Sequence, residues 1–280
     1  MKETNASLFP GKAYPMLASL VYEHSRIRLG PDKHTLVANR LRKRLCALGL
    51  KCFAEYCAVL QSAQGGEEIE VLIDLISTNH TRFYREPEHF AFLTRRVLPA
   101  LAPALSTARA PLRLWSAAAS SGEEPYTMAI AAAEGLQAYP ALDWEVYATD
   151  ISRRMLAAAS NGVYPMDAVK PVPPDLLKRY FQKGVGARTG YCRVKPELRQ
   201  RLQFDRVNLF QSRYPVPADM HVIFCRNVMI YFDQSSRAEA VKRLSHQLAP
   251  GGYLVIGHSE SLMGIRHGLQ LVQHGVFQKI

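Results

Sequence analysis

The sequence predicts a doubly wound α/β domain over its central and carboxy-terminal part, preceded by a small all-helical domain. Three observations carry this reading. After Pro111 short apolar runs alternate with longer helix-periodic segments, the pattern of a parallel sheet covered by helices. Before residue 80 the apolar residues recur at helical spacing. Between Gly162 and Lys195 the alternation gives way to a segment rich in proline, glycine and aromatics, which reads as an insertion. The 280 residues, 48% hydrophobic and 21% charged, suffice for one large domain plus a small one and exclude a chain disordered throughout.

In the amino-terminal part helices are expected over 15–25, 34–48, 53–63 and 67–78, with Gly65-Gly66 breaking the last two. In 34–48 the residues Leu36, Leu41, Leu45 and Leu48 mark an apolar face, while Arg40, Lys43 and Arg44 fall on another; Gly49 is the stop. The α/β part opens with a strand over 112–118 and a helix over 123–137. A strand over 144–149 and a helix over 152–160 follow. Later strands are expected at 202–207, 221–225 and 253–257, with a helix over 235–248 stopped by Pro250-Gly251-Gly252 and a closing hairpin over 269–280. The expected domains are therefore 1–80, helical with a basic helix; 81–110, a linker and connecting helix; and 111–280, the α/β domain with its insertion at about 162–200.

No apolar run reaches the roughly 18 to 20 residues of a membrane helix, since 16–22 and 97–105 are too short or broken by proline. The start, Met1-Lys2-Glu3-Thr4-Asn5, is polar where a signal peptide needs an apolar core, so a cytoplasmic location with five reduced cysteines is expected. The cysteines show no C-x-x-C spacing and the nine histidines no H-x-x-x-H pair, so no metal is expected.

The formal charge is +11, which calls for an acidic partner. It is concentrated in two stretches. Residues 24–51 carry eight basic side chains against Asp32 alone, and residues 178–206 carry nine against Glu197 and Asp205. A basic helix face also occurs simply because it is solvated.

In a doubly wound sheet, ligands bind outside the carboxyl ends of the strands. The first strand runs into Ser116-Ala117-Ala118-Ala119-Ser120-Ser121-Gly122-Glu123-Glu124-Pro125. Small residues there admit a nucleoside, but the loop is neither G-x-G-x-x-G nor a P-loop, and two carboxylates would repel phosphate. They suit an amino group or a sulfonium, or else merely complement the helix dipole. The second strand ends at Asp150, placed to bind ribose hydroxyls or to cap the next helix. The third leads to Asn208-Leu209, an amide beside an apolar surface, and the fourth to Cys225-Arg226-Asn227-Val228-Met229-Ile230-Tyr231-Phe232. Together these outline a nucleoside site without a phosphate cradle.

Those segments, with Ser77-Thr78-Asn79-His80-Thr81-Arg82-Phe83-Tyr84-Arg85-Glu86 and Gly257-His258-Ser259-Glu260, resemble the CheR-type chemotaxis receptor glutamate O-methyltransferases. The likeness runs from about residue 20 to the end. It implies a Rossmann-like S-adenosylmethionine-dependent methyltransferase fold, with a small antiparallel β subdomain as the insertion and an all-helical domain before it. It implies methyl transfer from S-adenosylmethionine to receptor glutamates, with S-adenosylhomocysteine as product and no metal. Cofactor contacts are then expected at Asn79, Thr81, Arg85, Glu123, Asp150, Asn208, Leu209, Arg226 and Asn227. Ser121 stands where many members have Thr, a conservative departure.

The resemblance also implies the partner, the helical bundle of a chemoreceptor's cytoplasmic part. Arg40, Lys43 and Arg44 would face it, and the loop bearing Gly184, Gly186, Arg188 and Gly190 would take a receptor's carboxy-terminal pentapeptide by strand addition. A monomer that binds no nucleic acid and does not insert in the membrane is expected. A glutamate nucleophile is already ionised at neutral pH, so no general base is needed. Arg85, Arg226 and Tyr231 are the catalytic candidates, as donors to the incoming carboxylate. An RNA methyltransferase is the nearest rival, since +11 beside a nucleoside site would also serve RNA. A cofactor-sensing module is a second; polar residues at every strand end speak against it. The segment 257–261 has the look of a hydrolase nucleophile elbow, but no acid follows Glu260 in the chain.

Overall fold

A computed structural model of the chain describes residues 10–63 and 65–280; residues 1–9, on which the expectation about a signal peptide rests, and Gln64 lie outside it. The chain forms two compact units: one holds the residues up to Thr78 together with 231–236, and the other holds 79–230 and 237–280.

In the first unit, Pro15 sits in the opening turn of α1 (Tyr14–Ser25), where its missing N–H costs nothing. The unit continues with α2 (His34–Ala47), α3 (Phe53–Gln61) and α4 (Gly65–Ile76). Leu17, Val21, Leu41, Leu45, Tyr56 and Leu72 are fully enclosed between them. The apolar face of α2 is Val37, Ala38, Leu41 and Leu45; Leu36 is only half-buried, and Leu48 lies beyond the helix end. The buried face is thus rotated from the one the leucines mark. The segment 231–236 belongs here through Arg28, whose N–H donates to the Tyr231 carbonyl at 2.9 Å, and Tyr22, whose hydroxyl donates to Asp233.

The second unit begins with α5 (Pro87–Phe92), a π-helical turn over Leu93–Val97 and α6 (Leu98–Ala108). Phe90, Leu93, Val97, Leu98 and Ala102 enter this unit's core, so the stretch 81–110, expected as a linker and connecting helix, packs into the unit through its helices. Then come β1 (Leu112–Ala117), α7 (Glu123–Gly135), β2 (Trp144–Asp150), α8 (Arg153–Asn161), β3 (Val163–Pro165), α9 (Pro174–Tyr180), β4 (Phe181–Lys183), β5 (Tyr191–Val194), α10 (Pro196–Arg199), β6 (Leu202–Arg206), β7 (Met220–Phe224), α11 (Gln234–Gln247), β8 (Leu248–Val255), β9 (Leu269–Gln273) and β10 (Val276–Lys279). Of these, 234–236 at the start of α11 falls in the first unit.

The main sheet runs β6-β2-β1-β7-β8-β10-β9; its first five strands are parallel, and β10 pairs antiparallel with both β8 and β9. Strand order reverses between β1 and β7, which puts the switch point beside the ends of Ala117 and Phe224. The insertion is a separate antiparallel sheet, β3-β5-β4. One expectation fails in detail. Pro250-Gly251-Gly252 does not separate helix from strand; β8 already starts at Leu248, and the register jumps from Met220↔Leu248 to Val222↔Tyr253. The extra residues bulge out of the ladder, with Gly251 at φ 75°.

Candidate functional site

The loop after β1 is pinned to the end of β2. The amides of Ala118 and Ala119 both donate to the Thr149 carbonyl, at 2.8 and 2.9 Å, and the Ser120 amide donates to Asp150 Oδ2 at 2.8 Å. Ala118, Ser120 and Gly122 all take positive φ. At Gly122, φ 98°, an added Cβ would lie 2.8 Å from both Ala159 Cβ and Tyr164 Oη, so only glycine fits this turn. The Tyr164 hydroxyl, from β3 of the insertion, donates to the Ser121 carbonyl at 2.7 Å. Hence the small sheet braces the same loop.

Asp150 is 6% exposed and accepts the Ser152 amide at Oδ1, 2.9 Å. The capping side chain of α8 is Ser152, whose Oγ accepts the Met155 amide at 3.1 Å. The segment 79–86 joins the loop through the Asn79 carbonyl, which accepts the Ser120 hydroxyl at 2.9 Å. Glu123 is 8% exposed and accepts the Ser121 hydroxyl; burial raises its pKa and that hydrogen bond opposes the rise. At the end of β6 the Val207 amide donates to the Asp150 carbonyl, Asn208 Oδ1 accepts the Phe210 amide, and Leu209 is buried. Asn79, Ser120, Glu123, Asp150 and Asn208 thus belong to one connected rim. Thr81 is partly exposed on the same 79–86 segment.

Arg226 has a different task from the one expected. Its side chain is 1% exposed, and its guanidinium donates to Glu86 Oε2 at 2.9 Å, Glu124 Oε2 at 3.1 Å and the Arg85 carbonyl. It is a buried tie between the 85–86 segment and α7, not a donor facing solvent. Glu124 also accepts the Ser116 hydroxyl at 2.7 Å; burial pushes its pKa up and Arg226 opposes this. Its carboxylate therefore points into the fold rather than simply complementing the helix dipole. Burial likewise opposes ionisation of Glu86, but Arg226 and the Asn227 amide outweigh it and hold the carboxyl at about 2. Tyr84, Glu86 and Asn227 sit at φ 53°, 55° and 59°. Such strain persists only where surrounding bonds fix the backbone, and these three residues flank the network. Arg85 is the partly exposed cation of the set, donating to the His80 carbonyl at 2.9 Å. Tyr231, the third catalytic candidate, lies in the 231–236 segment of the helical unit.

Among the described residues Glu86, His89 and His258 bring ligand atoms within 4.8 Å of one another. Sequence spacing missed this group because the two histidines come from distant parts of the chain. His89 is 1% exposed, and burial, aided by Arg226, pushes its pKa down to about 4. The Arg226 guanidinium already occupies Glu86 Oε2, a fixed positive charge that disfavours a second cation on that oxygen.

Two of the three cations of α2 expected to face the partner are engaged inside their own unit. Arg40 donates to the carbonyls of Ile76 and Ser77 and to the Thr78 hydroxyl. Arg44 forms a bidentate pair with Glu68, which is 7% exposed and also accepts the Tyr56 hydroxyl at 2.7 Å. Lys43 is exposed, as is Arg42. In the β4–β5 loop Gly184 is required, since an added Cβ would lie 2.1 Å from the Arg188 carbonyl oxygen. Gly186 and Gly190 take φ 57° and 89° with open space around them, and Val185 is 81% exposed.

Two family descriptions match this chain: "CheR methyltransferase, all-alpha domain" over residues 12–77 and "CheR methyltransferase, SAM binding domain" over residues 79–277. The chain belongs to the CheR methyltransferase family. It is 39% identical over 249 residues to the chemotaxis protein methyltransferase of Salmonella typhimurium, covering 89% of this chain and 83% of that one. It is 40% identical over 245 residues to the Escherichia coli protein of that name, covering 88% and 82%. It is 38% identical over 261 residues to chemotaxis protein methyltransferase 2 of Pseudomonas aeruginosa, covering 92% and 89%.

As a CheR methyltransferase the chain is an S-adenosylmethionine-dependent enzyme, and its residues fit that cofactor. Buried carboxylates at 123 and 150, an amide at 208 beside Leu209 and a 116–125 loop without a single lysine or arginine are a donor set for a nucleoside bearing a cationic group rather than a phosphate. Sequence reading missed the buried roles of Glu86, Glu124 and Glu260. All three lay inside the quoted segments, but nothing in the sequence tells which way a carboxylate points.

Proposed function

We propose that this CheR methyltransferase esterifies the side-chain carboxylate of specific chemoreceptor glutamates, releasing S-adenosylhomocysteine. The observation that carries the reading is the single rim at the switch point, where Asn79, Ser120 and Asp150 are hydrogen-bonded in series. When bound, S-adenosylmethionine supplies a methyl group on a sulfonium. Asp150 holds the ribose hydroxyls, Asn208 and Leu209 take the adenine edge and face, and Glu123 faces the cationic end. Asn79, Thr81, Arg85 and Asn227 complete the binding set, with Arg226 fixing the 85–86 segment from behind.

Because the substrate glutamate arrives ionised, the chain's task is to align it and replace its water. Arg85, the partly exposed cation of the rim, draws the carboxylate in. On the receptor side, Lys43 and Arg42 of α2 meet the acidic helical bundle, while Arg40 and Arg44 keep α2 in place. The β4 edge with its 184–190 loop tethers a receptor carboxy-terminal pentapeptide by strand addition. The enzyme acts in the cytoplasm as a monomer. Methylation of RNA is not favoured: the relatives are named as protein methyltransferases, and part of the basic excess is spent internally, as in Arg179–Glu134 and Arg201–Asp143. Mass spectrometry of purified receptor after incubation with enzyme and cofactor tests the reading; methyl esters on glutamates are expected, and methylation of any other residue type overturns it.

A further inference from the structure

Glu260 is 9% exposed and carries no substrate-facing role, yet it is one of the most heavily bonded carboxylates of its unit. Its Oε2 accepts the Asn227 amide at 2.8 Å and the Gly257 amide at 2.6 Å, and its Oε1 accepts the Met229 amide at 2.8 Å. One side chain from the loop after β8 therefore satisfies backbone donors of the loop after β7 and of its own loop together. Asn227, held there at φ 59°, sends its side-chain amide to Glu86 Oε1 at 3.2 Å, the carboxylate that Arg226 also binds. Gly257 has no room for a side chain, since a Cβ would lie 2.5 Å from Asn227 Nδ2 and 2.9 Å from Glu260 Oε2. Burial raises the pKa of Glu260, and these amides oppose that rise by favouring the anion.

We propose that Glu260 is a positioning residue for cofactor binding: its anionic clamp on the Asn227, Met229 and Gly257 amides fixes the Arg226–Asn227 pair in its working conformation. The inference rests on the proposed cofactor contact of Asn227 and on the part of Arg226 in holding the 85–86 segment. A glutamine cannot replace the carboxylate, because it offers one acceptor oxygen and turns an NH₂ donor toward backbone donors. Loss of a charge-assisted acceptor at this point is expected to cost at least about tenfold in affinity.

Calorimetry with S-adenosylhomocysteine on wild type, Glu260→Gln and Glu68→Gln, alongside thermal melts, tests this. Glu68 is a buried carboxylate of the helical unit, so its variant reports what lost stability alone does. Glu260→Gln is expected to weaken binding at least about tenfold, whereas Glu68→Gln melts lower yet binds within about twofold of wild type. A folded Glu260→Gln protein with wild-type affinity overturns the proposal. Hydrogen exchange on the wild type decides independently of whether the variant folds: S-adenosylhomocysteine is expected to slow exchange in 225–230 and 257–260 together, and protection of the first segment alone overturns the coupling. Failure of the wild type to bind S-adenosylhomocysteine at all would instead strike the cofactor reading itself.

Discussion

The Ser120 amide donates to Asp150 Oδ2 at 2.8 Å, so the carboxylate at the end of β2 and the loop at the end of β1 are one object. Removing that carboxylate loosens the loop and, on the proposed reading, takes away the ribose ligand as well. Asp150→Ala is expected to lower S-adenosylhomocysteine affinity at least about tenfold, read by calorimetry, because a charged hydrogen-bond acceptor is lost at a buried site. Unchanged binding would remove Asp150 from the cofactor site.

The tie between Arg226 and Glu86 has a signature in pH. Glu86 titrates at about 2 in the folded chain, below its ordinary 4.5, so its stabilising contribution is complete above 4.5 and is lost as pH falls toward 2. His89, displaced from 6.5 to about 4, is neutral when folded and protonates more readily when unfolded. Its contribution is complete above 6.5 and is lost as pH falls toward 4. Denaturant unfolding from pH 7 to pH 3 should show both losses. Glu86→Gln is expected to flatten the lower window and His89→Asn the upper one.

The cations of α2 divide into two kinds. Arg44→Ala leaves the Glu68 carboxylate buried beside Tyr56 without its guanidinium, and about 1–3 kcal/mol of stability should go with it, less than the roughly 3–5 kcal/mol of fully buried pairs because Arg44 is 31% exposed. Lys43→Glu and Arg42→Glu alter exposed side chains. They are expected to leave the melting temperature within error and to slow receptor methylation, an effect that fades at high salt. Equal methylation rates at low salt would make this helix face merely solvated.

In the β4–β5 loop, Gly184→Ala forces a Cβ onto the Arg188 carbonyl and should disrupt the loop outright. Gly186→Ala meets open space and pays only for its positive φ, about 1 kcal/mol. If the loop holds a receptor pentapeptide, Gly184→Ala abolishes peptide binding in a fluorescence titration and leaves S-adenosylhomocysteine affinity unchanged. Loss of both would make the loop a structural part of the cofactor site.

The positions of the main-sheet strands and their helices were legible because each rests on local pattern: alternation after Pro111, the small residues at 116–122 and the acid closing β2 at Asp150; the order of the strands, set by pairings between distant segments, was not. The burial face of α2 was not, since Leu36 and Leu48 obey helical spacing as well as Val37 does and only tertiary packing chooses among them. Arg226 illustrates the same limit. Its place after β7 was readable, but its enclosure by Glu86 and Glu124 depends on residues far apart in the chain. The bulge at Pro250-Gly251-Gly252 was hidden because proline and glycine mark both a stop and a bulge.

The central claim, carboxyl methylation by this site, is tested most directly by tritiated methyl transfer to receptor-containing membranes followed by mild base. Wild-type enzyme should label the receptor and release the label as methanol, while Asp150→Ala at limiting cofactor should label it far less. Label that survives base, or that appears on RNA rather than receptor, would contradict the account.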